Sequence, residues 1–359
     1  MTLGLPAPTV SVVMPTYNGA GLIGETIASL QAQSLRDFEL IIVDDCSTDD
    51  TVAVIRGFDD PRIRLIQSQK NRRVVLSRNA AFAEARGRYI AALDHDDLCH
   101  PDRFQRQVAY LDANPGIVLV GSAANVLEDG TIIPSSLAPL STPPVIAWLL
   151  QIENPLVWSS VMLRTDAARQ LDPFMRPEMV YAEDFDLYHR IAAFGGVARL
   201  DDELLTYRRH SGGASQTQAQ AMRQAAIRVL TGVYVEAFGE AAAETADLIV
   251  THVMGQQPVP DRSTLERVGS ALVALQDRFL AQHRPDRESR SLIRWETARR
   301  WARIGRAGLR TGTLRLGDAA AVRPPHLGLG YAGIEELILS RIVGSVRAAQ
   351  RRVRKDAAA

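Results

Sequence analysis

A regular alternation of short apolar runs with amphipathic stretches, between Thr9 and Val120, constrains the fold of this 359-residue chain more than any other feature. The alternation is typical of βα units, in which parallel strands form a sheet and the intervening helices cover its faces. It predicts strands over Val10–Met14, Phe38–Val43, Arg62–Gln67, Tyr89–Leu93 and Ile117–Val120. The fold class is therefore predicted to be α/β with a mostly parallel sheet.

Beyond Val120 the strand signal becomes irregular and then disappears. The sequence predicts a hairpin that turns at Asp129-Gly130, a Pro- and Ser-rich loop, two further strands and one more helix. These elements are, in chain order, Asn125–Glu128, Thr131–Ile133, residues 134–144, Trp158–Leu163, Asp184–Phe194 and Leu204–Arg208. From about Ser215 onward Ala, Gln, Arg and Leu dominate. We therefore predict an α/β domain over residues 1–214 and a helical region over residues 215–359.

Composition argues against several classes of protein. The formal net charge is zero and 46% of residues are hydrophobic, so nothing draws the whole chain to nucleic acid. The two cysteines, Cys46 and Cys99, lie within acidic motifs and do not resemble a disulfide framework. The N-terminus lacks the features of a signal peptide, and no segment reaches the ~20 apolar residues that a membrane span requires. We expect a cytoplasmic protein with no nucleic-acid partner.

Polar residues follow the first two predicted strands. The first strand ends in the segment from Pro15 to Asn18, and the second ends in Asp44 and Asp45. In an open α/β sheet, ligands bind beyond the carboxyl ends of the strands, so both clusters are expected to face one crevice. There a carboxylate can accept a hydrogen bond from a base or a ribose, and Tyr17 can cover a ring. The alternative is a pair of ordinary loop turns.

Gly19, Gly21 and Gly24 have the G-x-G-x-x-G spacing of dinucleotide-binding loops, and Asp44 follows about 20 residues later. As an alternative function, this pattern predicts an NAD(P)-dependent oxidoreductase. In that motif the first glycine lies at the tight turn directly after the strand. Here the segment from Pro15 to Asn18 intervenes, which favours glycines that merely relax the turn.

Three carboxylates, Asp94, Asp96 and Asp97, follow the apolar run that ends at Leu93. Carboxylates this close repel each other unless a cation or several hydrogen-bond donors neutralise them. Mg²⁺ or Mn²⁺ would suit these oxygen ligands and would bridge to a diphosphate. The alternative is a solvated acidic turn that caps the helix starting near Pro101.

Three further residues are candidates for the same site. Arg78, at the start of a helical stretch, could reach a phosphate or simply be an exposed charge. Asp184 lies in the first turn of a predicted helix, where carboxylates are also common because the helix dipole favours them. His210 follows the strand Leu204–Arg208, and a lone histidine in a loop is more often structural than a metal ligand.

In this order and spacing, four segments resemble the large family 2 of inverting glycosyltransferases, which has the GT-A fold. They are VSVVMPTYNG, FELIIVDDCSTDDT, SRNAAFAEARGRYIAALDHDDLCHPDRF and AEDFDLYHRIA, within residues 9–212. Any one segment is a weak signal, but four in the right order form a specific one. The resemblance implies a GT-A catalytic domain, with a Rossmann-like and mostly parallel sheet, followed by the helical region.

The resemblance also implies roles for individual residues. The donor-binding residues carried over from the family pattern are Pro15, Tyr17, Asp45, Arg78, Asp94 and Asp96. Asp96 would also contact the metal, and His210 matches a position that approaches the metal or the diphosphate in some members. Asp184 would be the catalytic base, and Asp97 would support the cluster or cap a helix. The segment from Arg72 to Leu76 departs from the small residues that relatives often have there.

The implied reaction moves a sugar from a nucleotide-diphospho-sugar, here expected to be a UDP-sugar, to a hydroxyl of a saccharide or lipid-linked acceptor. The metal, Mn²⁺ or Mg²⁺, would stabilise the leaving diphosphate while a carboxylate takes the proton of the acceptor hydroxyl. A non-catalytic nucleotide-sugar binder is the remaining alternative, and it would not need a base at Asp184. The acceptor is expected to contact variable loops such as residues 134–158.

A basic amphipathic stretch lies near the C-terminus. One apolar stripe is formed by Ile338, Leu339, Ile342, Val343 and Val346. Residues 341–355 carry six basic side chains and no acidic one. Our first interpretation is a helix that packs on its own domain. The alternative is a helix in residues 333–355 that lies on the inner face of an anionic membrane, which would suit a lipid-linked acceptor.

Overall fold

The computed structural model describes residues 7–135, 141–210, 212–213, 217–322 and 337–345. The chain divides into two compact units. The first lies within Met1–Ala147 and Pro155–Met222, and the second lies within Trp148–Asn154 and Arg223–Ala359. The predicted domain division at residue 214 stays a prediction.

Nine strands form one sheet within the described part of the first unit. They are β1 (Val10–Thr16), β2 (Phe38–Asp44), β3 (Ile63–Gln67), β4 (Tyr89–Ala92), β5 (Leu98–Cys99), β6 (Ile117–Glu128), β7 (Thr131–Ile133), β8 (Met162–Arg164) and β9 (Gly196–Arg209). Their order is β3-β2-β1-β4-β8-β6-β9-β5, with β7 paired to β6. Strands β1 to β4 pair in parallel with one another, β6 pairs in parallel with β9, and β8 is antiparallel to both β4 and β6.

Helices follow the strands in chain order. Before β9 they are α1 (Ile23–Gln31), α2 (Thr51–Arg56), α3 (Val74–Ala83), α4 (Arg103–Ala113), α5 (Pro143–Leu150), α6 (Thr165–Ala168) and α7 (Glu183–Ile191). After β9 they are α8 (Ala219–Phe238), α9 (Ala242–Leu248), α10 (Arg262–His283), α11 (Arg287–Thr311) and α12 (Leu316–Ala321), and residues 337–345 are also helical. The predicted change from a strand-rich domain to a helical region is confirmed.

The core of the first unit explains why these runs form a sheet. All residues of β1 and β2 are buried, as expected for strands with both faces covered. On α1, Ile23, Ile27 and Leu30 lie at helical spacing and pack into the same core. The sheet therefore presents the carboxyl ends of β1, β2 and β4 at one edge, and their loops carry the polar clusters.

The sequence predicted most of these elements, and several of the predicted bounds were wrong. The run Trp158–Leu163 is not one strand, because Trp158–Ser160 forms a 3₁₀ turn and only Met162–Arg164 pairs in the sheet. The strand predicted to end at Val120 continues to Glu128, and the one predicted to start at Leu204 starts at Gly196. The loop predicted over residues 134–144 is shorter at its end, because α5 already begins at Pro143, and residues 136–140 of it lie outside the described residues.

The second unit is helical throughout its described elements. Helices α10 and α11 begin at aspartate caps, since Asp261 accepts from the Thr264 amide at 2.7 Å and Asp286 from the Ser289 amide at 2.9 Å. Among the described residues, none of the helices combines the length and the apolar character needed to cross a bilayer.

The C-terminal helix packs by a different face from the one predicted. Ser340 is buried, and Gly344 lies so close to the backbone of Leu309 that a Cβ would meet its carbonyl oxygen at 2.6 Å. The stripe residues Ile338, Leu339 and Ile342 are exposed instead. Small residues allow the closer approach, so they face the domain while the large apolar residues face outward. Residues 333–336 and 346–355 of the predicted membrane helix lie outside the described residues.

Candidate active site

Two loops at the carboxyl ends of β1 and β2 are tied together by hydrogen bonds. The side-chain oxygen of Asn18 accepts from the Thr48 amide at 2.8 Å, and the Asn18 amide donates to the Ser47 hydroxyl at 2.9 Å. Pro15 is buried within β1, whereas the ring of Tyr17 is 45% exposed at the edge of these loops. The exposed ring and the fixed loops leave a flat surface on which a nucleobase could stack.

Asp45 anchors a third loop to this pair. Its two carboxylate oxygens accept from the backbone amides of Arg72 and Arg73 at 2.8 Å and 2.7 Å. Arg73 has φ 70° and ψ 163°, a conformation that is essentially reserved for glycine. The structure thus shows what the unusual Arg72–Leu76 segment does locally. It directs two amides at Asp45 and then begins α3 at Val74.

The three glycines of the apparent dinucleotide motif lie in different surroundings. A Cβ on Gly19 would come within 2.3 Å of the His95 ring, so this glycine is required for the close approach of that side chain. A Cβ on Gly21 would meet nothing within 4 Å, and one on Gly24 would make ordinary contact with Val54. The G-x-G-x-x-G spacing therefore does not mark three positions that must each lack a side chain.

Arg78 joins the acidic loop after β4 to the start of α7. Its Nη2 donates to both carboxylate oxygens of Asp94, at 2.7 Å and 2.9 Å, and its Nη1 donates to Glu183 Oε1 at 2.7 Å. The guanidinium also lies 4.9 Å from the centre of the Trp158 ring. Burial lowers the pKa of Arg78, but the carboxylates of Asp94 and Glu183 raise it above its ordinary value. The buried arginine is therefore permanently charged.

Asp96 and His210 are brought together although 114 residues separate them. The Nε2 atom of His210 lies 3.0 Å from Asp96 Oδ2. This contact places the two predicted metal ligands side by side at the mouth of the acidic loop.

Asp97 faces the interior of the protein. Its Oδ1 accepts from the backbone amide of Arg208 at 3.0 Å, and Ser159 also contributes a hydrogen bond. Burial, and after it the charges of Asp96 and Asp94, raise the pKa of Asp97 well above its ordinary value. Asp97 therefore connects the acidic loop to β9 and does not cap α4, which begins at Arg103.

The repulsion expected among three neighbouring carboxylates is thus relieved in three ways. Asp94 is paired with an arginine, Asp96 contacts a histidine, and Asp97 is buried where the neutral form is favoured. Only Asp94 and Asp96 of the three remain partly exposed to a ligand.

Asp184 lies in the first turn of α7 next to this cluster. It is half-buried, and its Oδ1 accepts from the Phe185 amide at 2.8 Å. Its charge also contributes to the raised pKa of Arg78, so the two groups are electrostatic neighbours. Phe185 and Leu187 are buried, so they anchor α7 within the first unit. The predicted base is therefore held on a rigid element beside Arg78 and Glu183.

The described residues contain no group of three or more His, Cys, Asp or Glu side chains arranged to hold a metal ion. Asp96 and His210 form a pair only. The 3.0 Å contact between the two side chains has the length of a hydrogen bond. They would supply only part of the coordination of a cation, and diphosphate oxygens and water would have to supply the rest, as is usual for Mg²⁺.

Sequence reasoning did not single out three residues that build this site. Glu183 holds Arg78, Ser159 accepts from the Asp94 amide at 3.0 Å, and Trp158 packs against the guanidinium. Glu183 lies within the segment AEDFDLYHRIA, and this motif was a signal that could have pointed to it. Ser159 and Trp158 lie in a segment predicted as a strand, and no local pattern pointed to the site.

Comparisons with known proteins bear on the family and on the fold. Residues 11–171 match the family model described as Glycosyl transferase family 2. EpsE from Bacillus subtilis is 33% identical over 187 residues, which cover 51% of this chain and 66% of that protein. The Escherichia coli UDP-Glc:alpha-D-GlcNAc-diphosphoundecaprenol beta-1,3-glucosyltransferase WfaP is 28% identical over 228 residues, covering 62% of this chain and 87% of WfaP.

Among solved structures, S. aureus TarS 1-349 in complex with UDP-GlcNAc superposes with a TM-score of 0.55 at 16% identity, covering 95% of this chain and 92% of that one. At this identity the likeness concerns the fold. The chain spans 66%, 35% and 14% of the first three curated relatives, which is less than two thirds of each length.

Proposed function

We propose that this chain, whose residues 11–171 match the model of glycosyl transferase family 2, transfers a sugar, with inversion, from a nucleotide-diphospho-sugar to an acceptor hydroxyl. The observation that carries the proposal is the bridge from Asp94 through Arg78 to Glu183. The bridge links Asp94, which is proposed to bind the donor, to α7, the helix that carries the proposed base.

The donor is proposed to lie across the carboxyl ends of β1, β2 and β4. Tyr17 stacks on the base, Pro15 supplies buried backbone beneath it, and Asp45 holds the loop that closes the nucleoside pocket. Asp94, oriented by Arg78, accepts from a ribose hydroxyl. A UDP-sugar is the proposed donor, as UDP-GlcNAc is bound in the TarS structure and WfaP is named for UDP-Glc.

The acceptor hydroxyl is proposed to be deprotonated by Asp184. Asp184 is an electrostatic neighbour of the permanently charged Arg78, and a carboxylate there can accept the proton of an attacking hydroxyl. Its place in the first turn of α7 holds it on a rigid element, which favours a base that must be positioned accurately. Attack from the side opposite the leaving diphosphate then inverts the anomeric centre in one displacement.

A divalent cation, Mn²⁺ or Mg²⁺, would be held by Asp96 and His210. When bound, it would neutralise charge on the leaving diphosphate as a Lewis acid. The protein's part is to hold these two side chains in contact with each other, while Asp97 anchors the acidic loop to β9.

A lipid-linked acceptor is proposed because WfaP is named for a diphosphoundecaprenol acceptor. The exposed Ile338, Leu339 and Ile342 favour peripheral contact of the C-terminal helix with the membrane that would hold such an acceptor. In liposome flotation of the full chain on anionic vesicles, Leu339→Glu should reduce binding. Equal flotation of the variant and the wild type would contradict the membrane contact.

Thermal shift with a panel of UDP-, GDP- and dTDP-sugars and Mn²⁺ tests the donor class, because a ligand stabilises the state that binds it. We expect UDP-sugars to raise the melting temperature more than NAD⁺ or NADP⁺ does. Stabilisation by a nicotinamide nucleotide alone would contradict the proposal.

A further inference from the structure

Tyr188 carries a buried hydroxyl that the described residues leave without a hydrogen bond. The side chain is 0% exposed, and its oxygen has no partner among the residues that the structure describes. Most buried hydroxyls are paired, because an unpaired one loses its bonds to water and gains nothing in return. An unpaired phenol in a well-packed helix therefore calls for a physical reason.

The surroundings of this hydroxyl are those of the proposed site. Tyr188 lies four residues after Asp184 on α7, and side chains at that spacing lie on the same face of a helix. Helical side chains also point back toward the N-terminus, which directs the phenol to the first turn. Two more buried atoms near the first turn of α7 have no hydrogen-bond partner among the described residues. They are Oε2 of Glu183 in that turn and Nε of Arg78, which is paired with Glu183.

The charges that act on Tyr188 belong to three segments. They are Asp184 and Glu183 on α7, Arg78 on α3 and Asp94 on the loop after β4. Burial, and after it the carboxylate of Asp184, raise the pKa of Tyr188 well above its ordinary value. The phenol is therefore protonated throughout the working pH range and can only donate or share its proton.

We propose that Tyr188 is a positioning residue for Asp184: the buried phenol donates a hydrogen bond, directly or through one buried water, to the carboxylate of the base when the site is assembled. This inference rests on the proposed function. The bond fixes the carboxylate toward the acceptor, and it stabilises the charged form of the base. The unpaired state lowers the stability of the fold in the absence of ligand, and such a cost is usual at functional sites.

The chain offers a matched control in Tyr234, which is also buried but whose hydroxyl donates to the backbone oxygen of Gln151 in the second unit. The test compares Tyr188→Phe with Tyr234→Phe. For each variant we would measure the melting temperature. We would also measure kcat, KM and the pH profile for release of nucleoside diphosphate, using the sugar nucleotide that stabilises the wild type.

For Tyr188→Phe we expect an unchanged or higher melting temperature, an unchanged KM for the donor, and a kcat lower by about 10-fold to 100-fold, as when an orienting partner is lost. Removing a donor from the carboxylate raises the pKa of the base, so the acidic limb of the profile should move to higher pH. Tyr234→Phe should lower the melting temperature and leave the profile in place.

Two results would overturn the inference. One is a Tyr188→Phe enzyme with the kcat and pH profile of the wild type, while Asp184→Asn is inactive. The other is a Tyr188→Phe protein destabilised as much as Tyr234→Phe, which would show that the hydroxyl is bonded for structural reasons. A wild type that turns over no sugar nucleotide and gains no stability from one would instead overturn the proposed function, and this inference with it.

Discussion

The guanidinium of Arg78 binds both carboxylate oxygens of Asp94, at 2.7 Å and 2.9 Å, while its other terminal nitrogen binds Glu183. One nitrogen, Nη2, contacts both oxygens of Asp94, so the carboxylate is held in place by charge-assisted hydrogen bonds. The same arginine links the strand edge to the helix of the proposed base.

Arg78→Ala should lower the free energy of unfolding by about 3–5 kcal/mol, because it leaves two carboxylates without their buried partner. Urea denaturation would measure this loss. The matched control is Arg262→Ala, which removes an exposed arginine paired with Glu266 and should cost less than about 0.5 kcal/mol. Equal losses in the two variants would mean that the Arg78 bridge does not stabilise the fold.

Arg73→Gly should raise the free energy of unfolding by about 0.5–2 kcal/mol. The strain of a non-glycine residue at this φ and ψ costs about 1–3 kcal/mol, and the greater freedom of glycine in the unfolded chain offsets about 0.5–1 kcal/mol. The hydrogen bond that the backbone amide of residue 73 donates to Asp45 is retained. Arg73→Ala removes the same side chain but keeps the strain, so a gain of equal size in Arg73→Ala would contradict the strain at this position.

Asp96→Ala should abolish the increase in nucleotide affinity that Mn²⁺ produces, and His210→Ala should reduce it. Both follow from the proposal that these two groups, which lie 3.0 Å apart, bind the cation. Calorimetry with the nucleoside diphosphate of the preferred donor, in Mn²⁺ or in EDTA, measures the effect. Asp202→Asn, at an exposed surface pair with Arg106, serves as the control. An unaltered response to Mn²⁺ in Asp96→Ala would remove this residue from the metal site.

The sheet could be predicted because its strands are short apolar runs with both faces covered, so the order of β1 to β4 follows from local pattern. The residues at which strands begin and end were harder to predict. The strand Gly196–Arg209 pairs with β6, which lies about 80 residues away in the sequence. Long-range pairing of this kind leaves little local signal.

The candidate site was predictable where chemistry alone identified the residue. Asp94, Asp96 and Asp184 stand out as carboxylates at element ends, and His210 stands out through the family pattern. What the sequence could not provide is how each charge is balanced. The Arg78–Glu183 pair, the bond from Asp97 to the Arg208 amide and the unpaired phenol of Tyr188 all depend on contacts between distant segments.

The proposed reaction is tested most directly by Asp184→Asn, assayed for release of nucleoside diphosphate from the donor that stabilises the wild type. Donor affinity should stay within about twofold, whereas turnover should fall about 10²–10⁴-fold, the usual contribution of a general base. Asp186→Asn, in the same helical turn but paired with Arg190, should keep its turnover. An Asp184→Asn enzyme that turns over at the wild-type rate would contradict the assignment of the base.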